Sequence, residues 1–255
     1  MYEKYYNDAE YCYSKGNYKE ALSLFIEAIK INRTNNCLNY IGCCYLELGE
    51  YISAITIFEE LIDNNPEWER PILNLGRVYL KKDEKEKALE QFERAAIINP
   101  LEEDTYYYMG VYYYSIGDYE KARELYEKSL SINIEQSETH LNLGMVYFRL
   151  KIFEKALEEF NQAYRYDNDC KDAIYNKSLV LISMKNYEES LKNLFIINSL
   201  EPDNIEIMMD IAHCYYKIGD YNEAMDWVNK LLLKDSEHNL ANKLLNKLVS
   251  LRQNT

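Results

Sequence analysis

The chain has 255 residues, with 43 Asp and Glu against 29 Lys and Arg, for a formal net charge of −14. At 47% hydrophobic and 28% charged residues it has the balance of a folded protein, not of a disordered acidic tail. The negative charge argues against nucleic acid or an anionic membrane surface as the partner, and no apolar run approaches the ~20 residues of a membrane-inserted helix.

The stretch from Met1 to Asp8 has no apolar leader core, which gives a cytoplasmic expectation. Eight glycines and four prolines supply little turn chemistry for an all-β fold. The six cysteines match neither a C-x-x-C pair nor a zinc pattern and are read as free thiols in a reducing compartment.

In chain order, one pattern recurs seven times. The first unit, 2–34, has small residues at Ala9 and Ala21, then Phe25, with Gly16-Asn17-Tyr18 between two apolar-periodic segments. The second, 35–68, repeats this as Gly42, Ala54, Phe58 and Gly49-Glu50-Tyr51, closing on Pro66. The third, 69–102, has Gly76, Ala88, Phe92 and Pro100, with Asp83 in place of the turn glycine and Pro71 just inside its first helix. The fourth, 103–136, has Gly110, Ala122, Tyr126 and Gly117-Asp118-Tyr119, and the fifth, 137–170, has Gly144, Ala156 and Phe160. The sixth, 171–204, is the loosest, with Ser178, Ser190, Leu194, Pro202 and Lys177 where a leucine is usual. It is expected to be the least stable unit, or a binding or dimer contact. The seventh, 205–238, returns to Ala212, Ala224, Val228 and Gly219-Asp220-Tyr221. Residues 239–253 read as a capping helix with a polar outer face, its apolar side formed by Leu240, Leu244, Leu245, Leu248 and Leu251.

Within each unit the apolar spacing is i, i+3, i+4, i+7 on both sides of the turn, which predicts two amphipathic helices. The turn glycines suit a left-handed C-terminal cap. Asn17, Asp118, Asn186 and Asp220 suit the next N-cap, and Glu20, Glu189 and Glu223 complete capping-box spacing after three of them. The small columns let two helices approach closely. The aromatic columns fill the space between hairpins, and since one hairpin cannot bury its own apolar face, the units must stack.

These columns resemble the tetratricopeptide repeat, a 34-residue helix–turn–helix unit. Asn74-Leu75-Gly76-Arg77-Val78-Tyr79 with Ala88, Phe92 and Pro100, and Asn142-Leu143-Gly144-Met145-Val146-Tyr147 with Ala156 and Phe160, carry the pattern. The resemblance implies an all-α superhelical solenoid over 1–255, built of seven units plus the capping helix. It also implies a non-enzymatic scaffold or adaptor that binds a peptide or protein segment in the concave groove lined by its first helices.

No phosphate-binding, dinucleotide, zinc-protease, hydrolase or kinase motif occurs, no cofactor is implied, and no His/Cys/carboxylate cluster offers a metal site. His140 is read as a packed core imidazole. Adjacent acidic pairs such as Glu158-Glu159 are read as solvated surface.

By analogy with the family, the binding wall draws on first-helix residues outside the packing columns: Asn39, Arg70, Asn74, Arg77, Tyr107, Tyr108, Tyr114, Asn142, Met145, Phe148, Tyr175 and Asn176. Asparagines in a row can serve an extended peptide backbone through both donor and acceptor. Tyrosine and methionine supply large, adaptable contact area. Arg70 and Arg77 share one helix face and read either as a carboxylate or phosphate site or as partners of Glu47 and Asp104. Asp104, Glu138, Asp172 and Glu206 form an acidic row suited to basic groups on a ligand. The Lys/Asn/Arg clamp by which chaperone-binding members hold a terminal carboxylate is not reproduced. Two alternatives remain: a bacterial peptide-sensing regulator, and a self-assembling scaffold that forms a homo-oligomer.

Overall fold

A computed structural model describes residues 1–253. Its described residues form fifteen α-helices and no strand. The first helices of the hairpins are α1 (Tyr2–Ser14), α3 (Asn35–Glu47), α5 (Glu69–Lys81), α7 (Glu103–Ser115), α9 (Ser137–Arg149), α11 (Lys171–Ser183) and α13 (Ile205–Ile218). Their second helices are α2 (Tyr18–Ile31), α4 (Tyr51–Asn64), α6 (Lys85–Ile98), α8 (Tyr119–Ile132), α10 (Phe153–Tyr166), α12 (Tyr187–Leu200) and α14 (Tyr221–Leu232), and α15 (Asn239–Gln253) ends the chain. These helices fall into two compact halves, Met1–Ile134 and the residues from Glu135 onward.

Each corner closes on its own hairpin. Gly16 N–H donates to Tyr13 O and Asn17 N–H to Cys12 O, both at 2.9 Å, the paired bonds of a left-handed helix cap. The second of these bonds recurs at all seven corners, from Glu50 to Tyr45 through Asp220 to Tyr215. Asn17, Asp118, Asn186 and Asp220 therefore have no free backbone N–H for a capping-box glutamate to accept. Two of the three boxes form by half, Asn186 and Asp220 accepting from the amides of Glu189 and Glu223, and Asp118 caps its helix by accepting from Lys121 N–H. Asn17 makes no side-chain cap bond, contrary to expectation. Gly16, Gly49, Gly117 and Gly219 take φ of 75–96°, while Asp83, Lys151 and Lys185 hold the same place at 60–62°.

The small column is packed from above by the large one. A Cβ on Gly42, Gly76, Gly110 or Gly144 would lie 2.5–2.6 Å from the ring of Phe58, Phe92, Tyr126 or Phe160. The sixth and seventh hairpins combine Ser178 with Leu194 and Ala212 with Val228, all fully buried. There a slightly larger small residue faces a smaller large one. Ser190 Oγ also donates to Ser178 O at 3.0 Å, giving this hairpin a polar staple.

In the N-terminal half, one core runs from Leu38 through Phe58 and Val78 to Ala95, and a second gathers Ala9, Ala21, Phe25 and Cys44. In the C-terminal half, a core joins Leu194, Ile211 and Val228 to Ala241, Leu244 and Leu248 of α15. The helix caps the stack as expected, but Leu240 is 60% exposed and Val249 41%, so its outer face is not wholly polar.

His140 is buried, stacked on Tyr166, with Nδ1 2.6 Å from Glu159 Oε2. Glu159 is therefore not the solvated carboxylate its acidic neighbour Glu158 suggested. It closes a polar contact against the core.

Candidate functional site

Within the N-terminal half, α3 packs on α5 and α5 on α7, as well as on the helices next to them in the chain. Within the C-terminal half, α9 meets α11 in the same way. First helices thus crowd together from α3 through α7 in one half and from α9 to α11 in the other.

On the N-terminal face, a chain of hydrogen bonds ties α3 to α5, and a cation–ring contact reaches α7. Arg77 donates to Glu47 Oε1 and to Asn74 Oδ1, each at 2.8 Å, and Asn74 Nδ2 donates to Asn39 Oδ1 at 3.1 Å. The Arg77 guanidinium also lies 5.0 Å from the Tyr108 ring centroid. Arg77 is therefore a partner of Glu47. Asn74 is buried with both ends of its amide engaged, so it belongs to the wall rather than to an open asparagine row. Arg70 is exposed and makes no ion pair among the described residues, leaving it as the accessible cation of the pair.

Tyr107 is buried, edge-on to Tyr108 at 4.9 Å and 6.0 Å from Tyr126. It packs the hairpin and does not line the surface. Tyr108 stacks on Phe92, and Tyr114 lies 5.4 Å from Tyr119; both remain half-buried.

The same columns carry an aromatic wall further toward the N-terminus that the sequence reading did not single out. Tyr40 stacks on Phe25 at 5.0 Å and meets Tyr13 at 5.5 Å and Tyr6 at 6.0 Å, both edge-on. Burial, then the negative charge of the nearby Glu10 carboxylate, pushes the Tyr6 and Tyr40 phenols above their ordinary range. The signal was present in the sequence, since these residues occupy the column positions of Tyr107, Tyr108 and Tyr114.

On the C-terminal face, Asn142, Met145, Phe148, Tyr175 and Asn176 are all half-buried. Phe148 packs on Phe153 at 6.1 Å. Tyr175 OH donates to Asp210 Oδ2 at 2.9 Å, while burial raises the Asp210 carboxyl above its ordinary range. Tyr175 also lines a cleft of about 240 Å³ with Asp172 and Glu206 at its edge, where Lys171 is tied to Glu201 at 3.2 Å. Among the described residues no group of His, Cys, Asp and Glu could hold a metal, and no helix is long and apolar enough to cross a membrane.

Tetratricopeptide-repeat family profiles match residues 37–67, 70–100, 102–169 and 196–248. The chain is similar in structure to YrrB, described as a tetratricopeptide-repeat protein with an unusual peptide-binding site, at 21% identity and TM-score 0.67 over 73% of this chain and 96% of that one. It is also similar to PilF of Pseudomonas aeruginosa, at 16% identity and TM-score 0.73 over 84% and 97% of the two chains. TTC0263, a thermophilic repeat protein of Thermus thermophilus, gives 21% identity and TM-score 0.64 over 71% and 100%. A search of curated proteins finds no match. The recurring corners, the small-on-aromatic columns and the matched profiles agree: the chain belongs to the tetratricopeptide repeat family.

Proposed function

We propose that this protein is an interaction scaffold whose first-helix faces take up an extended segment of a partner protein. The observation that carries this is the half-buried Tyr6 and Tyr13 on α1, Tyr40 on α3, and Tyr108 and Tyr114 on α7, three first helices of one half. Such rings offer contact area with few torsions to freeze and a hydroxyl to satisfy a peptide. Arg70, exposed and without an ion pair among the described residues, suits an acidic group of that segment. Taken by itself, the face of the C-terminal half offers Asp172 and Glu206, exposed at the cleft beside Tyr175, to a basic group of a segment bound there. YrrB, whose description includes a peptide-binding site, lends the reading support at the level of the fold.

The test is affinity capture from the native lysate with wild type and an Arg70→Glu/Tyr114→Ala variant that melts like wild type. A captured partner lost by the variant supports the reading. The same partners retained at low and high salt would overturn it.

A further inference from the structure

A second feature lies away from the first-helix faces, in the groove between α10 and α12, and does not depend on them. One position before the small residue, four of the seven hairpins place an aliphatic side chain, Ile41, Leu75, Leu143 and Ile211, all at least 95% buried, while the first has the exposed Asp8 and the fourth Met109. The sixth hairpin has Lys177 there instead. An ammonium cannot stay in that apolar space at tolerable cost, so it must reach outward for a polar partner. Lys177 Nζ does so, donating to Asn161 Oδ1 at 2.8 Å.

The space vacated by the missing leucine is a cleft of about 120 Å³. Phe160, Ala173 and Ile174 line its apolar side and Lys177 its polar side. Tyr164 and Ile196, 42% and 49% exposed, stand on either flank. The cleft is somewhat smaller than the ~150 Å³ apolar cavity that accepts a benzene ring, so it suits one aliphatic side chain. The lysine makes no ion pair among the described residues; the nearby Glu189 carboxylate is tied to Lys192 at 2.7 Å. Its hydrogen bond goes to a neutral amide, and an ammonium has three protons to donate. Charge complementarity therefore selects an anionic occupant.

We propose that this cleft is an anchor site for a partner segment that inserts a leucine, isoleucine or valine side chain and places a carboxylate on Lys177. The apolar side and the ammonium share one small cleft, so the two groups must belong to the same residue or to adjacent ones.

The probe is N-acetyl-leucine, titrated into the full chain with methyl-labelled isoleucines and read by NMR. Saturable shifts of the Ile174 and Ile196 methyls are expected, with the millimolar affinity of so small a molecule. N-acetyl-leucinamide, which lacks the carboxylate, binds at least about tenfold more weakly, the worth of a charge-assisted hydrogen bond. Lys177→Leu restores the aliphatic column, fills the cleft and abolishes the shifts, while melting at or above wild type. Lys177→Gln brings the acid down to the level of the amide. Equal binding of acid and amide, undiminished shifts in Lys177→Leu, or no shift at Ile174 and Ile196 in the folded wild type would each overturn the proposal.

Discussion

A Cβ on Gly144 would lie 2.6 Å from Phe160 Cε1, closer than two carbons can stand. Gly144→Ala therefore displaces the ring at an overpacking cost of about 1–3 kcal/mol, offset by about 1 kcal/mol of helix propensity. In the first hairpin, Ala9 and Phe25 coexist fully buried, so a ring can be moved aside, and the net loss at Gly144 should fall near the low end. The sixth hairpin suggests the rescue. Adding Phe160→Leu to Gly144→Ala should cost less than the sum of the two changes. Denaturant melts of the four-member cycle measure that coupling, and strict additivity would refute it.

Lys151 and Lys185 sit at φ 61° and 62°, where an L side chain is strained by about 1–2 kcal/mol. Glycine there relieves the strain and gives back part of it as unfolded-chain entropy. Lys151→Gly and Lys185→Gly should each stabilise by about 0.5–1 kcal/mol. Asp83→Gly should gain less, because aspartate tolerates the left-handed region better than lysine. Thermal melts of the three single variants give the order.

Removing the Arg77 side chain leaves the half-buried carboxylate of Glu47 and the buried amide of Asn74 without their shared donor. Because the pair is partly exposed, the cost of Arg77→Ala is expected at about 1–3 kcal/mol, below that of a fully buried pair. Arg77→Lys keeps the charge but cannot fork to both acceptors, and should recover only part of the loss. Denaturant midpoints decide.

The Asp210 carboxyl is raised by burial, so the folded state holds its proton more tightly than the unfolded chain does. Its contribution is complete below the unfolded pKa and is lost as pH rises through the folded one. Asp210→Asn keeps an acceptor for Tyr175 OH and removes that titration. Relative to wild type, the variant should gain stability as pH rises from about 3.5 toward neutrality. A constant difference in melting temperature across that range would contradict it.

Burial raises the thiols of Cys37, Cys43 and Cys214 to about 11 and that of Cys44 to about 12. Since the thiolate is the nucleophile, these four should resist alkylation in the native protein at mildly alkaline pH. Cys12 and Cys170, which are half-exposed, should label first. Mass spectrometry of the partly labelled protein resolves the order.

Much of the fold is legible because it repeats. The first helices start at Tyr2, Asn35, Glu69, Glu103, Ser137, Lys171 and Ile205, where the columns place the units. The site is less legible, for a physical reason. A column fixes the face a side chain occupies, but not which long side chain reaches across to it. Arg77 and Glu47 are thirty residues apart, and either an anion or that carboxylate could satisfy the guanidinium. Asn74 and Asn142 share a column, yet one is buried and bonded between neighbours while the other is half-buried. Glu159 looked like solvent-facing charge until His140 was placed beneath it.

Every corner amide bonds to a carbonyl of its own first helix, from Asn17 to Cys12 through Asp220 to Tyr215. No hairpin borrows backbone bonds from the next one to make its bend. A gene encoding this chain could gain or lose a whole repeat by unequal recombination with each remaining bend intact, so that length itself becomes a heritable variable of the stack.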